Sequence, residues 1–193
     1  MKINELARVA AGIIFDNEGS YGSVNKNDNG AVSVGRLQWH GGRAAALLKK
    51  IISAEPDAKS ILGGALYGEI TGGANWAARI VTAAEAAKLK AILTTKAGKA
   101  AEDEEAISDV ECKKGQSYGW TDAGALIYFA DGVNQYGTAS ALWKTIAAEA
   151  LKGAGDVRAM YEATIKHTNK YLTRRKKVYE SVAAMQEKED TMT

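Results

Sequence analysis

Cysteine and proline occur once each in these 193 residues, at Cys112 and Pro56, and histidine only twice, at His40 and His167. Charge of neither sign dominates, since 25 lysines and arginines against 23 acids leave a formal net charge of +2. Each scarcity removes a class of protein. One thiol cannot build an intramolecular disulfide framework, and two scattered histidines offer no metal-ligand spacing, so neither a metal nor a cofactor is expected. The slight charge excess lacks the concentrated basic face of a nucleic-acid binder. No apolar run is long enough to span a bilayer, and the opening MKINELARVAAGIIFDNEG has charges threaded through its apolar positions, unlike the uninterrupted core of a secretory signal. The expectation is a monomer made in the cytosol, without membrane insertion. A hydrophobic content of 46% is enough to bury a sizeable core, and one domain over residues 1–193 is expected.

What is present is mostly helical periodicity. Leu6, Val9, Ala10, Ile13, Ile14 and Asn17 share one face of a helix over residues 3–17. Glu18 follows at the helix C-terminus, where the dipole disfavours an ionised carboxylate and helps raise its pKa. Residues 23–37 change character: Val24, Val32 and Val34 alternate around a polar cluster, and Asn29-Gly30 suits a tight turn, so a short irregular hairpin is expected as the only β structure. A helix from Gly41-Gly42 stops near Ser53 before Pro56, and a short one follows over 57–62. Residues 63–76, rich in glycine, read as a loop with one helical turn, either a surface excursion or a lid.

Residues 82–97 and 99–111 read as two exposed helices, with Thr82 capping the first through Glu85. The run Glu102-Asp103-Glu104-Glu105 reads as a solvated helix start. After a turn-like CKKGQSYGW, Thr121 caps a segment that is apolar nearly all round and is expected to be the buried central helix. Its last turn becomes polar at Asp131, Asn134, Gln135 and Tyr136 before Gly137 ends it, as though aimed at something polar. Helices over 139–151, 156–167 and 169–186 complete the chain. Lys166, Lys170, Arg174 and Lys177 fall at three- and four-residue spacing as a basic stripe, either a solvated face or a contact for anionic cell-surface polymers.

An acid ending a helix, followed by a hairpin bearing a second acid and hydroxyls, fits glycoside hydrolysis. That chemistry needs a protonated acid at the leaving oxygen and a second group across the sugar. Here the sequence resembles the phage lysozymes, whose Glu-x8-Asp-x5-Thr pattern is approached by Glu18, Asp28 and Ser33. Asn27 stands where their Asp would be, Asp28 is one place later, and Ser33 replaces Thr. The segment GAVSVGRLQW is similar to the one after the catalytic glutamate of lytic transglycosylases and goose-type lysozymes. Their late Tyr-Asn-x-Gly motif is loosely similar to the Asp131–Gly137 helix end. The whole chain resembles small phage endolysins, with the close match over residues 13–48.

The resemblance implies a mainly α (α+β) lysozyme-like fold, a helical bundle around a central buried helix with one small hairpin beside a cleft. It implies Glu18 as general acid, Asp28 as base or electrostatic partner, and Ser33 as a water positioner. Tyr21, Gln38, Asn134, Gln135 and Tyr136 would contact the sugar, and Trp39 would stack on a pyranose unless it is core packing. Asp28 is otherwise a turn residue, Ser33 a plain strand hydroxyl, and His40 a hydrogen-bonded structural histidine. The activity implied is an N-acetylmuramidase cleaving peptidoglycan glycan strands after release from the host cytoplasm, with a holin-like protein giving access. A lytic transglycosylase, a chitosanase-like activity, and an inactive wall-binding protein are the alternatives.

Overall fold

The computed structural model describes residues 3–110, 112–137 and 141–191. They form two compact units, one made of the described residues up to 17 and from 107 onward, the other of residues 18–106.

In the first unit, α1 (Ile3–Glu18) contributes Leu6, Ala7 and Ala10 to a core centred on α8 (Ala123–Tyr136). Residues 124–132 of α8 are all buried, which is why its sequence is apolar on every face. Around it pack α7 (Cys112–Ser117), α10 (Val157–His167) and α11 (Leu172–Thr191), and α10 also receives α9 (Ala141–Ala150). Trp120, Phe129 and Trp143 meet near the middle, with ring centroids 4.9–6.4 Å apart. Gly132 admits Trp143 to the helix backbone, because a Cβ there would stand 2.2 Å from the indole.

Side-chain caps set the helix starts. Asp156 accepts from the Ala159 amide at 2.8 Å to begin α10, and Asp122, not the expected Thr121, accepts from the Ala125 amide at 2.7 Å to begin α8. A charged acceptor one residue nearer the first turn suits the orphan amides and the dipole better than a hydroxyl. Gly137, at φ +80°, ends α8 as expected.

The second unit holds a three-stranded antiparallel sheet in the order β1 (Val24–Asp28), β2 (Ala31–Val34), β3 (Trp39–His40). The hairpin turns at Asn29-Gly30, both at positive φ. The third strand is additional to the expected hairpin, because a two-residue strand carries no readable alternation. Against the sheet lie α2 (Gly42–Ala54) and α5 (Ala83–Leu93), with α3 (Ala58–Leu62) and α4 (Gly64–Thr71) packed on α2, and α6 (Lys96–Asp109) closes the list of helices. The glycine-rich stretch is for its greater part a two-turn helix, with Leu66, Ile70 and the following Trp76 buried and residues 72–75 exposed between them, rather than a loop with one helical turn. Arg79 fastens it by pairing with Glu69 at 2.7 Å and Glu85 at 2.5 Å. Thr82 and Glu85 form the expected capping box; the Arg79 guanidinium, then the Thr82 amide, hold the Glu85 carboxyl down at about 2.

Candidate functional site

The sheet places Asp28 and Ser33 together through an irregularity. Asn25 pairs with Ser33 and Asp28 with Ala31, so the first strand spends one residue more than the second between those pairs. Side chains alternate with a period of two, so the extra residue inverts the parity of β1 and turns Asp28 onto the face that bears Ser33. There the Ser33 hydroxyl donates to Asp28 Oδ2 at 2.7 Å. The irregularity thus sets Asp28, rather than Asn27, beside Ser33. His40, paired with Ser33 across β2 and β3, bonds the Asp28 carbonyl through Nε2 at 2.7 Å. A carbonyl only accepts, so Nε2 carries the proton. His40 is the hydrogen-bonded structural residue its position suggests.

Ser33 is completely buried. Its hydroxyl is spent on the Asp28 carboxylate and is not turned to solvent, where the expected role of water positioner would have it. A hydroxyl bound to an ionised acceptor is among the stronger hydrogen bonds a protein makes. Asp28 itself is half-buried and belongs to the sheet rather than to the turn alone.

The expected sugar contacts divide. Trp39 is 2% exposed, so its face cannot stack on a pyranose; it is core, lying against Gly35. Gln38, at φ +53°, spends its amide N–H on the Gly35 carbonyl of its own turn at 2.8 Å. Tyr21 donates its hydroxyl to Asp103 at 2.9 Å and carries the Arg36 guanidinium over its ring at 4.5 Å. Burial first, then the Asp103 bond, push its phenol pKa up. Tyr21 therefore anchors the segment after α1 to α6 rather than offering a free hydroxyl.

Asn134, Gln135 and Tyr136 belong to the other unit. Asn134 is exposed. Gln135 and Tyr136 line a cavity of about 310 Å³ with Leu142, His167 and Tyr171 among its other walls. The Tyr136 hydroxyl donates to the Lys170 carbonyl at 2.7 Å, and burial pushes its pKa up to about 12. Asp131 is fully buried and is not aimed at a ligand: it pairs with Arg174 at 2.7 Å and with Arg175. Arg175 in turn lies 4.9 Å over the Tyr128 ring. Of the basic stripe, Arg174 is thus turned to Asp131, Lys166 pairs with Glu149 at 2.5 Å, Lys170 lies between α10 and α11, and Lys177 is exposed on α11, so the four do not continue along one helix.

Glu18 is the last residue of α1 and belongs, with Asp28 and Ser33, to the unit of residues 18–106. Its side chain lies outside the described residues.

One residue in this unit reverses its expected role. Glu102, read from sequence as part of a solvated acidic run at a helix start, lies inside α6 and is completely buried. Its Oε2 accepts from the Arg36 amide at 2.9 Å, while Oε1 has no hydrogen-bond partner among the described residues. Burial pushes its carboxyl up to about 8, against the pull of the Arg36 amide and charge. Gly35, at φ +74°, lets the carboxyl approach: a Cβ there would stand 2.8 Å from Oε2. One sequence signal pointed to this burial. Gly98, Ala101 and Ala106 are buried with Glu102, and a face of small residues at helical spacing marks close packing.

No family model matches the chain, and no curated protein does. Solved structures do. The chain is similar to the native chitosanase from Bacillus subtilis MY002, with a TM-score of 0.53 at 17% identity over 98% of this chain and 90% of that one. A mutant of the same chitosanase complexed with 6 GlcN gives 0.51 at 16% over the same shares. At such identity the likeness shows the fold, which is the mainly α, lysozyme-like one shared with these chitosanases.

Proposed function

We propose that this protein is a glycoside hydrolase of β-1,4-linked amino-sugar polymers, with Glu18 as general acid and Asp28 as base. The observation that carries the reading is the Asp28 carboxylate held by the buried Ser33 hydroxyl across a bulge, in a fold shared with a glycan hydrolase. In the proposed reaction Glu18 delivers its proton to the glycosidic oxygen as the C1–O bond breaks. Asp28 takes a proton from the water whose oxygen bonds to C1, and Ser33 keeps the carboxylate oriented. A second, positioned carboxylate favours hydrolysis over the water-free ring closure of a lytic transglycosylase, which needs one acid.

Peptidoglycan is the first substrate proposed, on the likeness of residues 13–48 to phage endolysins; the muramidase would cut between N-acetylmuramic acid and N-acetylglucosamine after release to the wall. The structural neighbours, one of them complexed with 6 GlcN, favour chitosan as the second reading. The test is to incubate the protein with purified cell walls and with chitosan, following turbidity, reducing ends and product masses. Glu18→Gln should abolish cleavage of the accepted polymer while pelleting with it persists. Clearance by that variant at the wild-type rate would remove Glu18 from the chemistry, anhydro ends would exclude the hydrolase, and binding without cleavage by the wild type would leave a wall-binding protein.

A further inference from the structure

We infer that Glu102 is a positioning residue for the Asp28–Ser33 pair: its Oε2, closed on the Arg36 amide beside Gly35, fixes the turn that joins the strand of Ser33 to the strand of His40. This rests on the hydrolase reading of Asp28 and Ser33.

The turn at residues 35–38 is short and fully committed. The Gly35 amide donates to the Ser23 carbonyl at 2.8 Å, tying the turn to the start of β1. The Gly35 carbonyl accepts both the backbone and the side-chain N–H of Gln38. Outside this loop of bonds the Arg36 amide has one partner, Glu102, which is carried by a helix 66 residues further along the chain. Ser33 lies two residues before Gly35, and His40, paired with Ser33, holds the Asp28 carbonyl. A shift of the turn is therefore felt at both ends of the pair that orients Asp28.

Glu102 can do this as a neutral acid. The groups that face it are Arg36 from the turn and Asp103 from its own helix. Tyr21, from the segment after α1, carries the Arg36 guanidinium on its ring and also has Lys99 of α6 over it, at 5.6 Å. The Arg36 guanidinium is thus held over an aromatic face, and no salt bridge compensates a charge on Glu102 among the described residues. An ionised Glu102 would have to be hydrated, and water reaching it competes for the Arg36 amide. Gly35 leaves no room for a side chain that would take over the contact.

The experiment pairs Glu102→Ala with Glu102→Gln, reading steady-state kinetics on the accepted glycan and amide-exchange protection of Arg36. Glu102→Ala should lower kcat by about tenfold or more with KM within about twofold, the loss of one buried hydrogen bond felt in the reaction rather than in binding. It should also strip protection from the Arg36 amide. Glu102→Gln, uncharged at every pH and still able to accept from that amide, should restore both. Wild-type Arg36 protection should fall above about pH 8, where the carboxyl ionises, and Glu102→Gln should lack that fall; activity has its own alkaline limb in both, set by the proton of Glu18. Unchanged kcat in a less stable Glu102→Ala would reduce Glu102 to a structural residue, and Arg36 protection independent of pH would overturn the inference. If Glu102→Ala does not fold, the pH profiles of Arg36 protection in wild type and Glu102→Gln decide. If the wild type cleaves no glycan, the hydrolase reading fails, while Arg36 and Ser33 exchange still decides whether Glu102 holds the turn.

Discussion

Replacing Glu102 by Gln makes a stability prediction that needs no substrate. The folded carboxyl titrates at about 8, against 4.5 for the ordinary group. Between those values the folded chain retains a proton that the unfolded chain has already lost. Wild-type stability must therefore fall as pH rises through this window and level off above about 8. Each pH unit costs about 1.4 kcal/mol, so the whole window is worth at most roughly 5 kcal/mol; structural relaxation and water entry should reduce this to about 2–4 kcal/mol. Gln cannot ionise, so its own offset, from fitting an extra N–H donor near the position of Oε1, is constant with pH. The quantity to measure is the difference in unfolding free energy between variant and wild type. Urea titrations from about pH 5 to about pH 9, followed by the fluorescence of variants that keep Trp39 and Trp76, both buried in this unit, with Trp120 and Trp143 replaced by Phe, provide it. The difference should move in favour of Glu102→Gln with every step up to about pH 8. A difference that stays flat across the range would show that Glu102 ionises in the folded protein at an ordinary pH, and the account of its burial would be wrong.

Three further outcomes are expected. Ser33→Ala should leave the fold intact, because a buried hydroxyl becomes a methyl-sized side chain, yet lower kcat about tenfold by freeing the Asp28 carboxylate; equal kcat in purified variant and wild type would separate Ser33 from the chemistry. Arg79→Met should lower the thermal midpoint at neutral pH, with a deficit that shrinks as pH falls from about 4.5 toward 2. Glu85 is held down at about 2 by Arg79, so its stabilisation is present above the unfolded value and lost as the folded group is protonated. A deficit of constant size down to pH about 2 would refute the clamp. Gly132→Ala should destabilise the other unit by about 1–3 kcal/mol or more through overpacking, since the new methyl would meet Trp143; the check is a calorimetric or fluorescence melt.

Much of the fold was legible in the sequence because its signals are local. Thr82 with Glu85, Asn29-Gly30, Pro56 after α2 and Gly137 after α8 each act within a turn or two of chain, and each stands where its chemistry placed it. The all-round apolar segment was identified as the buried central helix for the same reason. Where two local signals stood side by side, the prediction slipped by a residue, as between Thr121 and Asp122. The glycine-rich stretch misled because glycine lowers helix propensity by only about 1 kcal/mol per residue, and burying Leu66, Ile70 and Trp76 recovers more than that.

The site divides along the same line. Residue types and spacing alone brought Glu18, Asp28, Ser33 and His40 into one segment, and the order acid, turn, hydroxyl was enough to suggest glycoside chemistry. Pairing decided the rest. Only the strand register shows that a bulge brings Asp28 onto the face of Ser33, because parity depends on the partner strand and not on β1 itself. Burial likewise is a property of what packs on a residue. Asp131 seemed aimed at a ligand and Glu102 seemed solvated, yet the first meets Arg174 and Arg175 and the second meets the Arg36 amide beside Gly35. The sequence by itself determined the helix ends that carry a local cap or breaker, and which short segment carries acids and hydroxyls, since those follow from neighbours along the chain. Tertiary structure decided which of those acids are charged, paired or buried, since a carboxyl's energy is set by the dielectric and the donors that distant segments bring to it.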